Sequence, residues 1–182
     1  MRKFILLSMT VIATYNNLNE ADMALTELKH SHNVPESQIS VATLKESYNK
    51  FSNENRDMAA KNAQETTGAT LSGAGAGAAI GFLIGALGLA TGFGGLLIGG
   101  PLAAALGGSA MAANTAVGAT VGALGGFVSG LTKAGVNEAD ALLMSSAVEK
   151  GGAMIAVNTD GLNEDEIKQV LNSHSPAKMV HV

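Results

Sequence analysis

Few residues in this 182-residue chain are of types that do chemistry, and they are scattered. The four histidines are His30, His32, His174 and His181. His30 and His32 stand two apart, which at a helix end turns the rings away from each other, and no carboxylate cluster completes a metal site around them. They read as solvated histidines, and no metal ligand is assigned. Glu164, Asp165 and Glu166 are consecutive carboxylates, a group suited to a helix N-terminus, where negative charge offsets the backbone dipole. Gly73-x-Gly75-x-Gly77 has the outline of a dinucleotide-binding turn. It lacks the preceding strand and the acidic residue about 20 positions on that such a turn requires. With no cysteine in the chain, disulfides, thiolate nucleophiles and cysteine zinc sites are excluded. These residues form no catalytic constellation, so the expectation is a protein that is not an enzyme and carries no cofactor.

The elements that would have to position such residues fall into two kinds, divided by charge. All 26 charged residues lie outside Thr66 to Thr132, and this uncharged stretch holds 19 of the 23 glycines. Residues 1–65 carry seven Lys/Arg against eight Asp/Glu, and residues 133–182 carry four against seven, as ordinary solvated surface does. A net charge of −4 without a basic cluster argues against nucleic acid, whose binding needs clustered Lys and Arg to displace counterions.

Inside the uncharged stretch, glycines recur every four residues in two ladders, Gly73, Gly77, Gly81, Gly85 and Gly118, Gly122, Gly126, Gly130. On an α-helix each ladder makes one stripe that lets a second backbone approach closely. An interior glycine costs a soluble helix about 0.8–1.0 kcal/mol against alanine, so eight of them call for compensation from lipid or from packed helices. These eight are the expected helix-packing and oligomerisation residues. Gly99, Gly100 and Pro101, within "TGFGGLLIGGP", are the expected turn between two helical arms.

The flanks read as alternating elements. Arg2 and Lys3 before the run Phe4 to Ala13 could open a signal peptide, but the run suits a buried strand ending at Asn16-Asn17 better, and Met9 could be the true start. Asn19 with Asp22 resembles a capping box, opening a helix that ends near Ser31. Ile39 to Thr43 alternates as a strand does, Lys45 to Arg56 is polar and loop-like, and Asp57 to Glu65 can be helical. After the uncharged stretch, Asn137 with Asp140 caps a helix that Gly151-Gly152 ends. "AMIAVN" is a strand, Asn163 with Glu166 caps another helix, and Lys178 to Val182 is a last strand.

Each half is too small to bury a good core alone. The expected fold is therefore α+β, a split ferredoxin-like domain (β-α-β plus α-β-α-β) interrupted by a glycine-zipper helical hairpin. Its parts would be residues 1–56, the hairpin over 57–133, and residues 134–182. For the halves to share a sheet, the hairpin must leave and return on one side. An arm of 20 to 30 residues would span roughly 30–45 Å, enough for a bilayer core of about 30 Å. The strong apolar residues of the arms sum to only a few kcal/mol of insertion energy, so self-association through the glycine stripes would have to assist.

The segments "GGLLIGGPLAAALGGSA" and "GALGGFVSGLTKAGVNEADALLMSSAVEKGGAMIAVN", with the opening "TVIATYNNLNEADMALTELKHSHNVPESQISVAT", resemble the bacterial general stress protein 17M-like and low-temperature-induced protein family. The resemblance covers nearly the whole chain from Met9. It implies a glycine-zipper hairpin inside a split αβ domain and stress-linked membrane association, and no catalytic residues. Family members commonly carry proline where Asn137 stands and aromatic residues around Leu142 to Met144, and this chain departs from them at both places.

The reading that follows is a stress-associated protein of the bacterial inner membrane. Transmembrane hairpins would form a homo-oligomer, with both termini and the αβ domain cytoplasmic. One alternative is a large cytoplasmic ring, shell or particle in which hairpins bury one another with little lipid. Another is a membrane-anchored sensor of an unknown small molecule.

Overall fold

The computed structural model describes residues 10–54, 79–80, 95–101 and 122–182. The fold is α+β, built on a five-stranded antiparallel sheet. In chain order it runs β1 (Thr10–Tyr15), α1 (Leu18–His30), a single 3-10 turn (Glu36–Gln38), β2 (Ile39–Leu44), β3 (Leu96–Gly99), α2 (Gly122–Lys133), α3 (Glu138–Glu149), β4 (Ala153–Asn158), α4 (Glu164–Ser173) and β5 (Lys178–His181). The strand order is β3-β2-β4-β1-β5. Ile12 pairs with Ala156 of β4 and with Val180 of β5, and Val41 of β2 pairs with Ile155 of β4 and Gly99 of β3.

Both faces of the sheet are covered, which is why β1, β2 and β4 are buried nearly throughout instead of on alternate residues. On one face, Val11, Ala13, Tyr15, Ile155 and Val157 pack against Leu25 and Leu28 of α1 and Val170 and Leu171 of α4. On the other, Ile12, Ala42, Met154 and Ala156 pack against Phe127 and Leu131 of α2 and Met144 and Val148 of α3.

The caps of α3 and α4 stand where their sequences place them. Asn137 accepts a hydrogen bond from the Asp140 amide at 2.9 Å, and Asn163 caps through the Glu166 amide. For α1 the cap lies two residues before the expected Asn19: Asn17 accepts from the Glu20 amide at 2.9 Å. Asp22, expected to close a capping box, is buried instead, and its carboxylate accepts the Ile80 amide at 3.0 Å. Residues 45–54, expected as a loop, are helical. Tyr48 and Phe51, three apart on this helix, pack into the core on the α1 face of the sheet, while Leu44, the last residue of β2, belongs to the other core.

The largest correction concerns the uncharged stretch. Among the described residues, no helix is long and apolar enough to cross a membrane. The transmembrane hairpin, the inner-membrane location and a membrane-protein function are withdrawn on that finding. Where the stretch is described, its apolar side chains are buried against the αβ domain. Ala79 and Ile80 lie in the core beneath α1, Leu97 of β3 joins them, and Leu96, Ile98, Phe127 and Leu131 lie in the core on the opposite face. A helix with no charged face belongs either in a membrane or inside a protein, and here the described parts are inside. Leu96–Gly99, within the segment "TGFGGLLIGGP" expected as the turn of the hairpin over 57–133, is a strand hydrogen-bonded to β2. The four-residue ladder of the glycine-zipper hairpin is seen only in its last part, on α2.

Candidate functional site

Of the expected packing residues, Gly73, Gly77, Gly81, Gly85 and Gly118 lie outside the described residues. Gly122 opens α2, Gly126 is half-buried and Gly130 is buried. Within the chain α2 packs on α3. Of the expected turn, Gly99 ends β3, Gly100 follows at φ +90°, and Pro101 is helical. Gly100 is required by a close approach. A Cβ there would overlap the Ile39 carbonyl oxygen and stand 2.7 Å from the Ser40 Cα, both backbone atoms of β2.

Three of the four histidines are placed at seams between elements. His174 Nε2 lies 2.7 Å from a Glu27 carboxylate oxygen, joining the end of α4 to α1. His181 of β5 lies 3.3 Å from Glu164 of α4, and His32 lies 3.7 Å from Glu166. His30 Nδ1 is 3.0 Å from the Thr26 carbonyl oxygen of its own helix. Three of the four histidines thus face carboxylates across element boundaries, an arrangement the sequence does not reveal because the partners lie on separate elements, more than 100 residues apart for His32 and His174. No metal-holding group of three His, Cys, Asp or Glu exists among the described residues.

Asp140, Glu164 and Tyr15 are engaged in holding the fold. The Lys178 ammonium contacts Asp140 at 2.6 Å and Asn137 donates to the same carboxylate. The hydrogen bond from Lys178, then that from Asn137, holds the Asp140 carboxyl below its ordinary value. Glu164 is likewise held low, first by the hydrogen bond from Lys168 and then by the charge of His181. The Tyr15 hydroxyl donates to the Leu171 carbonyl oxygen at 2.8 Å. Burial, then the negative charge of Glu20, pushes the Tyr15 phenol well up, so it stays a proton-bearing strut between β1 and α4. A shallow depression of about 410 Å³ is lined by Leu44, Lys45, Glu46, Asn49 and Gly95. It is open and its two charges are opposite in sign, so it selects no ligand charge.

The surface that stands out is the outer side of α3. This helix buries Ala141, Met144, Ser145, Ala147 and Val148, and leaves the adjacent Leu142 and Leu143 at 54% and 59% exposed. On neighbouring α2, Gly125 and Ser129 are also exposed, with open space around Gly125. Two large side chains therefore project from the outer side of α3. In the sequence they are hidden within the apolar run Ala141 to Met144, which offers no sign of which members face outward.

Comparison with models of protein families, with curated proteins and with solved structures finds no match for this chain. The comparisons therefore speak neither for nor against the resemblance to the stress-protein family.

Proposed function

We propose that this chain is a non-enzymatic protein that works by associating with copies of itself, on a ferredoxin-like framework. The observation that carries the proposal is the pair Leu142 and Leu143, more than half exposed on a helix whose other large apolar residues, Met144 and Val148, are buried. Exposed large apolar side chains set side by side favour contact with another protein surface. The framework reading is supported by the strand order. With β3 set aside it is β2-β4-β1-β5, each strand antiparallel to its neighbours, and α1 and α4 share one face. That is the order of a split β-α-β unit repeated. The addition is the second face, which α2 and α3 cover. The non-enzymatic reading is supported by the engagement of Glu164, Asp140 and the histidines in caps and cross-element contacts.

The test is the mass of the full chain in solution by size-exclusion chromatography with light scattering over a hundredfold range of concentration. The proposal expects a mass above that of one chain that rises with concentration, and a return to one chain when Leu142 and Leu143 are both replaced by Ser. A single-chain mass at every concentration would overturn it.

A further inference from the structure

We infer that the self-contact is an antiparallel pairing of α3 with α3 of a second copy, about a twofold axis between Leu143 and Ser146. The inference rests on the self-association proposed above and adds its geometry. Ala139, Leu143, Ser146 and Lys150 recur at i, i+4, i+7 and i+11, which puts them along one stripe of α3 and its C-cap. Ala139, Leu143 and Lys150 are exposed and Ser146 is half-buried, so this stripe is the outer one.

Size and charge both select the antiparallel arrangement. Turned about that axis, Leu143 meets the second copy's Ser146, and Ala139 meets the second copy's Lys150. Each long side chain then faces a short one, as a knob faces a hole. Glu138, exposed at the start of α3, comes beside the second copy's Lys150 at the far end of the helix, twice by symmetry. A parallel pairing would instead set Glu138 against Glu138, Lys150 against Lys150 and Leu143 against Leu143. A twofold contact of this kind is self-complementary and closes at two copies. Two leucines a side fall short of the roughly 800 Å² per partner of a standard stable interface, so the dimer forms reversibly.

The experiment is sedimentation equilibrium of the full chain, with circular dichroism showing that each variant is folded. Glu138→Lys and Lys150→Glu, taken singly, should each raise the dimer dissociation constant about tenfold or more, since each sets like charges together at two symmetric places. The double variant should return to near the wild-type value. Leu143→Ser should leave a monomer. A wild-type chain that dimerises while the charge exchange fails to restore the double variant would overturn the antiparallel α3 geometry and leave self-association standing. A wild-type chain that stays monomeric at the highest concentration would overturn both.

Discussion

Replacing Gly100 by alanine separates two physical costs that the structure predicts will fall unequally on the two glycines flanking β3. Gly95 and Gly100 both have positive φ, +97° and +90°, so alanine at either is held in the left-handed region at a cost of about 1–2 kcal/mol. Their surroundings differ. A Cβ on Gly95 meets nothing within 4 Å, whereas one on Gly100 overlaps backbone atoms of β2 at Ile39 and Ser40. Backbone cannot rotate aside as a side chain can, and such overpacking adds about 1–3 kcal/mol. The expected losses are therefore about 1–2 kcal/mol for Gly95→Ala and about 2–5 kcal/mol for Gly100→Ala. Urea unfolding of the full chain, followed by circular dichroism, reads the difference as a shift in midpoint at unchanged slope. Equal losses, or a smaller loss at Gly100, would refute the placement of this turn against β2, and with it the docking of β3 on the sheet edge.

Further outcomes follow from single groups. Thr14 is fully buried and its hydroxyl oxygen has no hydrogen-bond partner among the described residues, so Thr14→Val should raise stability by about 1 kcal/mol in the same assay; a loss would show that the hydroxyl is satisfied. Asn17→Ala should cost about 1 kcal/mol by removing the cap of α1, while Asn19→Ala should change stability by less than about 0.5 kcal/mol. Equal effects at the two positions would contradict the observed start of that helix. The Asp140 carboxyl is held below its ordinary value of 3.8 by Lys178 and Asn137, so its contribution to stability is present above pH 3.8 and disappears as pH falls through its folded-state value. Asp140→Asn should flatten that part of the acid limb of a stability profile, and an unchanged limb would show the contact to be inert.

Much of the framework was legible because local signals and tertiary packing agree. Asn137 and Asn163 cap the helices they precede, and "AMIAVN" is β4 from end to end. The short helix over 45–54 is masked in the sequence because only Tyr48 and Phe51 mark its inward face, among eight polar residues. β3 was concealed in a different way. Leu96, Leu97 and Ile98, bounded by Gly95 and by Gly99-Gly100, have the form of a buried strand, but the surrounding glycine ladders suggest helix. The absence of charge misled most, since hydropathy does not distinguish a lipid neighbour from two faces of a protein core. Only the positions of Ile80, Leu97 and Phe127 in the two cores distinguish them. The outward turn of Leu142 and Leu143 likewise depends on which side of α3 meets the sheet.

The described parts of the uncharged stretch belong to the core of the αβ domain, and Phe127→Ala tests this most directly. Phe127 is 1% exposed and packs with Ile12, Leu96 and Met154, so its truncation should lower the unfolding free energy of the full chain by about 3–5 kcal/mol in a single transition. If the stretch were instead a separate body joined to the domain by its ends, the transition of the sheet would stay within about 0.5 kcal/mol of wild type, as for a residue that touches nothing, and the claim would fail.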